Sequence, residues 1–391
     1  MRVRHAEIWR VRLPFRWKVR HALAEHREAE SIILRITLDN GVTGLGECIP
    51  REYVTGENVE EVESTLRDVW LPSLKWEAWR TLPELTGFLE RCSLSDASGC
   101  AFELALWDAV ARSLGVTGLG LPLRRSTINY SAVLPGLSLS RLSKAAWLAR
   151  LWGFRALKVK VGIGDDDVER VRIVRKIVGR SVDIRVDANC AWKDPEVALR
   201  QIGTLQRFDV SSVEEPLPAR NWDGLAYLAE KSPIPICVDE SLTNAEDAHT
   251  LVERRACQIF NLRISKCGGI LNCLRLADIA RFAGIRYQVG CHVGETGILS
   301  AAGRNLFMAL PDALHAEGSF GRILLKTDLT RPRVQFGPRG KARPLTGTGL
   351  GIDLRLPLDR FSTNYTCVSF APGSAPVMPA VSDGNSVRIP Q

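Results

Sequence analysis

The sequence has no run approaching the ~20 apolar residues of a membrane span, no cysteines spaced as CxxC, and no Gly-rich dinucleotide fingerprint after any strand-like segment. Each absence removes a class of protein. A spanning membrane protein is excluded by the first. Zinc fingers and thioredoxin-like redox sites are excluded by the second. The ten cysteines (Cys48, Cys92, Cys100, Cys190, Cys237, Cys257, Cys267, Cys273, Cys291 and Cys367) are scattered through apolar surroundings. They are expected to be free thiols in a reducing compartment. The opening "MRVRHAEIWRVRLPFRW" is charged throughout and has no apolar h-region. No signal peptide is therefore expected, and a cytoplasmic location is. Net charge is +8, yet no block of like charge appears. That distribution argues against nucleic acid and for anionic small molecules as partners.

At 391 residues the chain can hold one large domain and a smaller one. The stretch "SIILRITLDNGVTGLGEC" is two apolar runs joined by Asn40-Gly41, a hairpin signal. "DASGCAFELALWDAVARSLG" has helical periodicity, with Ser95 and Asp96 as caps and Gly115 as its stop. Residues 1–125 therefore read as an α+β capping domain. A rhythm follows over 126–320: eight short β-branched runs alternate with about seven helical segments such as "DDDVERVRIVRKIVG". That alternation predicts an α/β fold, a parallel (β/α)7β barrel of modified TIM type, with a doubly wound sheet as the rival. Residues 321–391 break the rhythm and are expected to return to the capping domain, with an irregular tail from about 365.

Polar residues at the carboxyl ends of barrel strands are where such folds do chemistry. The second strand ends in Lys158-Val159-Lys160, and a period of two puts both lysines on one face. Their repulsion is expected to lower at least one pKa and supply a general base. Exposed lysines on an edge strand are the competing reading. The third strand ends in Asp187, the fourth in Glu214-Glu215-Pro216, and the fifth in Asp239-Glu240-Ser241. Carboxylates converging from three successive strand ends repel unless a cation joins them. All-oxygen donors suit Mg²⁺, with Mn²⁺ as a substitute.

The ordered motifs "KVKVG", "VDANCAW", "VEEPL", "CVDES" and "SKCGG" resemble the enolase superfamily, and within it the mandelate racemase/muconate lactonizing family, on its muconate cycloisomerase side. The resemblance covers about residues 1–360. It implies an α+β cap over a (β/α)7β barrel, Mg²⁺ on Asp187, Glu214 and Asp239, and Lys160 as the base that removes a proton α to a carboxylate. Lys158 would contact that carboxylate, while Asn189, Glu215, Glu240 and Lys266 would support the site from behind. The family also implies a lysine five residues before the Gly-Gly pair; here that position is Arg263. Strand alternation puts Arg263 on the active face and Lys266 on the other. Arginine stays protonated and is a poor base, so two-base racemisation is not expected. One-base cycloisomerisation, or elimination of the o-succinylbenzoate synthase type, is.

His292 in "VGCHVGETG" is a further candidate acid or substrate contact; a structural histidine is the plainer alternative. Glu317 stands at the end of the eighth strand. Two segments read as lid loops, 15–29 and 50–58, and offer Arg16, Arg20, His21, Arg51 and Tyr53 to hold a distal carboxylate or ring. A sugar-acid dehydratase using His292 and a non-catalytic ligand-binding descendant are the rival functions. The family resemblance also implies a homo-oligomer.

Overall fold

The computed structural model describes residues 1–20 and 22–370. Two bodies meet in it: a cap built on an antiparallel sheet, and a parallel barrel.

The cap sheet contains β1 (Val3–Arg20), β2 (Glu25–Leu38), β3 (Thr43–Cys48) and, from the far end of the chain, β11 (Ser362–Ser369), in the order β11-β1-β2-β3. The β2–β3 turn forms at Asn40-Gly41 as expected: Asn40 Oδ1 accepts from the Val42 amide at 3.1 Å, and Gly41 takes a φ of +82°. Helix α1 (Ala97–Ser113) starts at Asp96, whose side chain accepts from the Gly99 amide, and residues 97–111 are buried. Its alanines at 101, 105 and 109 recur every four residues and so share one face. That face lies directly against the glycines of β3. A Cβ on Gly44 would stand 2.2 Å from the Ala109 nitrogen, and one on Gly46 would stand 1.9 Å from the Ala101 oxygen. Backbone meets backbone there.

The barrel runs β4 (Ala132–Leu134), α2 (Leu139–Trp152), β5 (Ala156–Lys160), α3 (Asp167–Val178), β6 (Asp183–Asp187), α4 (Pro195–Leu205), β7 (Val210–Glu214) and α5 (Trp222–Lys231). It continues β8 (Ile236–Val238), α6 (Ala245–Glu253), β9 (Ile259–Leu262), α7 (Ile270–Phe282), β10 (Arg286–Val289) and α8 (Gly297–Ala309). Neighbouring strands pair in chain order from β4 to β10. Residues 314–317 are the eighth strand: Ala316 bridges Val289 on one side and Tyr130 on the other. This closes the barrel and rules out the open doubly wound sheet. The run 128–134 is not one strand, however. Ile128–Asn129 leaves the barrel to pair with Lys341–Ala342.

The expected irregular tail from about 365 is corrected by β11. Residues 362–369 pair antiparallel with β1, whose outer edge would otherwise be open. The tail from 371 on lies outside the described residues. No helix among the described residues is long and apolar enough to cross a membrane, and all ten cysteines are free thiols.

Cap and barrel are joined by two buried carboxylates. Glu47 of β3 accepts from the Thr296 amide at 3.1 Å, the Thr296 hydroxyl at 2.6 Å and the Leu299 amide at 3.0 Å, at the start of α8. Glu103 of α1 accepts from the Ile270 amide at 2.5 Å and the Leu271 amide at 3.3 Å, at the start of α7. Orphan amides of two barrel helices are thus satisfied from the cap.

Gly46→Ala is expected to force α1 off β3, because the new methyl meets backbone that cannot rotate away. The cost is about 1–3 kcal/mol of overpacking, read from urea unfolding. An unchanged midpoint would contradict the close contact.

Candidate active site at the barrel mouth

Register places the site. Lys160 pairs with Asp187 across β5–β6, Asp187 with Glu214 across β6–β7, and Glu214 with Cys237 across β7–β8. Asp239 lies two residues further on. The side chains at the carboxyl ends therefore form one row, while Leu157, Val159, Ile184, Val186 and Val213 are buried among the hydrophobic core.

Lys158 Nζ lies 2.7 Å from Glu214, 3.0 Å from Glu317 and 3.2 Å from Asp187. Burial alone would lower its pKa, but these carboxylates hold it well above the ordinary value. The expectation of a lysine pair in which repulsion dominates is corrected for Lys158: the acids around it outweigh its neighbour. Lys160 Nζ donates to Asp187 Oδ2 and Asn189 Oδ1, both at 2.6 Å. The Asp187 carboxyl stays well below its usual range: burial opposes this, but Lys160 and Lys158 prevail. Glu214 is pushed up to about 8 by burial and by Asp187, in spite of Lys158. It also accepts from Asn261 and Gln288, each at 3.1 Å.

Arg263 and Lys266 both reach Asp239. Lys266 Nζ donates to Oδ1 at 2.9 Å and to the Asp239 and Asn261 carbonyls. Arg263 contacts Oδ2 and lies 3.6 Å from Glu214. The expectation that Lys266 turns to an unrelated face is corrected. The strand ends at Leu262, so period-two alternation no longer governs residue 266. Only Arg263 of the two lines the pocket.

Behind this row, Glu215 accepts from the Asp239 amide at 2.6 Å and from the Ser241 amide and hydroxyl, which fixes the strand-end backbone. Burial pushes its carboxyl up to about 7. Asn189, Cys190 and Glu215 all have positive φ, at 44°, 62° and 37°. Strained non-glycine backbone concentrates at functional sites. Glu240, expected behind the ligands, instead lines the pocket and accepts from Asn189 at 3.1 Å.

The pocket above the row has a volume of about 200 Å³. Lys158, Lys160, Asn189, Glu240, Arg263, His292 and Glu317 line it from the barrel, and Trp17, Val19, Arg51 and Tyr53 from the cap. Arg16 and Arg20 are not among its lining residues. Residues 15–20 are the end of β1 rather than a loop, and alternation along that strand sends Val19 inward and both arginines to solvent. His21 lies outside the described residues. Tyr53 Oη is 3.3 Å from His26 Nε2. His292 is buried with Nδ1 unpartnered. Burial and the charges of Arg263 and Arg51 hold its pKa well below the ordinary value, so the ring is neutral.

Four pocket or cluster residues escaped the sequence reading. Arg185 lies 3.0 Å from Glu317 and donates to Gln288 at 2.5 Å. Gln288 and Asn261 hold Glu214. The period-two argument applied to the lysines would have found Arg185, two residues before Asp187, and Asn261, two before Arg263. Glu295, whose carboxyl accepts from the His292 amide at 2.7 Å, carried no comparable signal.

The donor set suits a hard divalent cation. Asp187, Glu214 and Asp239 offer only oxygens, and Asp239 Oδ2 and Glu240 Oε2 are buried without a hydrogen-bond donor. As the side chains stand, no three metal-ligating residues form a closed cage among the described residues. The heads of Lys158 and Arg263 lie among the acids instead. The chemistry of the donors, rather than a preformed cage, is what fits Mg²⁺.

Comparisons with known proteins bear on this arrangement. Residues 141–357 match the family described as Enolase C-terminal domain-like, and residues 3–120 the N-terminal domain family of mandelate racemase/muconate lactonizing enzymes. The L-Lys-D/L-Arg epimerase of Methylococcus capsulatus is 32% identical over 362 residues, 90% of this chain and 99% of that one. A dipeptide epimerase from Cytophaga hutchinsonii, solved with Mg and D-Ala-L-Val, superposes with a TM-score of 0.83 at 25% identity, covering 94% of this chain and 100% of that one. A muconate lactonizing enzyme from Pseudomonas fluorescens, solved with muconolactone, has a TM-score of 0.81 at 27% identity over 90% and 96%.

Glu317→Ala strips Lys158 and Arg185 of a shared buried partner. It is expected to cost about 3–5 kcal/mol of stability, measured by urea unfolding; a loss below 1 kcal/mol would mean that the pair is not structurally coupled.

Proposed function

The chain belongs to the mandelate racemase/muconate lactonizing family of the enolase superfamily, and from that premise we propose a Mg²⁺-dependent isomerase or lyase that removes a proton α to a carboxylate with a single base, Lys160. Its relatives are racemases, epimerases and cycloisomerases, and the protein is an enzyme of that superfamily.

The observation that carries the one-base reading is Arg263. Two-base racemisation needs a group on each side of the α-carbon that can both take and give a proton. Arg263 is always protonated and is held so by Asp239 and Glu214. It supplies a fixed positive charge and moves no proton. Lys160 takes the proton; Asp187 and Asn189 aim its amine into the pocket. Lys158, kept charged by Glu214 and Glu317, meets negative charge as it builds on the substrate carboxylate. Bound by Asp187, Glu214 and Asp239, Mg²⁺ would supply Lewis-acid stabilisation of that charge, the largest contribution in such chemistry. The sugar-acid dehydratase reading is weaker, because a neutral His292 has no proton to spare as an acid at neutral pH.

The test is α-hydrogen exchange in D₂O with Mg²⁺, over muconolactones, N-acyl amino acids, dipeptides and sugar acids, read by mass spectrometry and chiral chromatography. Exchange with retained configuration is expected, and scrambled configuration would overturn the one-base reading. Lys160→Ala is expected to lower the rate by about 10²–10⁴-fold; full activity would move the base elsewhere. Asp239→Asn is expected to abolish Mg²⁺ binding in calorimetry, and undiminished affinity would remove Asp239 from the ligand set.

A further inference from the structure

The row of acids and lysines occupies one side of the pocket, and the remainder of the lining is mainly apolar. Trp17, Val19, Val133, Phe320 and Leu325 all contribute to it. One cation, Arg51, stands out in those surroundings. It precedes the one-turn helix Glu52–Thr55 in extended conformation, with φ −141° and ψ 103°. Its guanidinium donates to the Val293 carbonyl at 3.2 Å and to the Pro50 carbonyl at 3.4 Å. Among the described residues no carboxylate lies within ion-pairing distance of it. Glu30, an acid whose charge it feels, is already held by Arg10 and Arg12, each at 2.9 Å. Arg263, the other arginine lining the pocket, is fully paired with acids.

A guanidinium removed from water with only two carbonyl contacts is costly. Its planar fork matches a carboxylate or phosphate in two-point contact, which the carbonyls do not satisfy. Burial already lowers the Arg51 pKa, the direction expected of a cation short of negative charge. Val293 belongs to the loop after β10 that also carries His292, so Arg51 is fastened to the barrel and cannot swing freely to solvent.

We propose that Arg51 receives a second anionic group, and that the substrate is therefore an α-CH carboxylate whose apolar body ends in a further carboxylate or comparable anion. This rests on the reading of the barrel end as the site of the reacting carboxylate. One acid goes to the metal-ligand row, the apolar body lies along the aromatic and aliphatic wall, and the far anion pairs with the guanidinium. The cap thereby selects for the charge on the tail, while the barrel does the chemistry.

The probes are N-succinyl-L-leucine and N-glutaryl-L-leucine, each beside its terminal monomethyl ester. Acid and ester share the α-carbon and the body and differ in the far charge. Calorimetry on the full-length protein with Mg²⁺ gives affinity, and D₂O exchange gives turnover. The wild type is expected to prefer at least one acid over its ester by about 10- to 100-fold, the strength of a hydrogen-bonded charge pair. In Arg51→Met that preference collapses towards unity, while Arg51→Lys retains part of it; thermal melting checks that each variant is folded. Equal affinity for acid and ester in the wild type overturns the proposal, as does failure of all four probes to bind. An acid preference in calorimetry that tracks Arg51 without any α-exchange would support Arg51 as the anion site and count against the proton-transfer reading. Exchange without charge preference would do the reverse.

Discussion

The structure turns on the burial of opposite charges at the carboxyl ends of β5 to β9. Asp187, Glu214, Asp239 and Glu317 are all removed from water, and each is held by at least one of Lys158, Lys160, Arg185, Arg263 and Lys266. Taking such groups out of solvent costs several kcal/mol per ion, and attraction repays this only when the geometry is good. The barrel provides that geometry at no local cost. Strand register fixes Lys160, Asp187 and Glu214 side by side before any side chain chooses a rotamer. Once the row exists, its neighbours are constrained as well. Glu215 must hold the Asp239 backbone, Gln288 and Asn261 must satisfy Glu214, and Arg185 must answer Glu317.

The cap completes the site because it is fastened to the same strand ends. Glu47 and Glu103 bind the first amides of α8 and α7, so the β3–α1 layer cannot shift without exposing helix termini. Gly294 has a φ of +96°, and a Cβ there would stand 2.7 Å from the Ala29 side chain. The loop carrying His292 is thus pressed against the β1–β2 hairpin. This close approach lets Val19 from β1, and Arg51 from the segment after β3, share a pocket with residues from the barrel. The cap therefore does not simply cover the chemistry. It contributes the apolar wall and the cation that stands apart from the acids.

Much of this was legible in the sequence, for a physical reason. Parallel strands buried on both faces read as short apolar runs, and a polar residue at their carboxyl ends then stands out. Lys158, Lys160, Asp187, Glu214 and Asp239 were visible in that way. Period two fails where the strand stops, and that is why both Arg263 and Lys266 converge on Asp239. It was also left unused at 15–20: charged residues suggested a loop, whereas β1 runs on to Arg20 with its arginines outward. Composition misread the other end of the chain too, since the polar Ser362–Ser369 becomes a strand by pairing with an open sheet edge. The lysine pair was judged from its own two charges. Lys158 is surrounded by acids that arrive from strands distant in sequence, and no local pattern announces their sum.

The replacement of a lysine by Arg263 changes more than basicity. A lysine at this position could lose its proton and act on the face of the α-carbon opposite Lys160. The guanidinium retains its charge under all physiological conditions, spreads it over a plane and pairs with Asp239 and Glu214 together. That holds the barrel mouth together electrostatically and stabilises negative charge on the substrate, but it leaves one face of the reacting carbon without a proton acceptor. A scaffold that supports racemisation in its relatives is thereby confined to reactions completed by a single base. In such reactions the stereochemical outcome is set by which face meets Lys160, and so by how the pocket holds the rest of the molecule. Control of the reaction passes from the barrel to the contacts that orient the substrate, and these come largely from the cap.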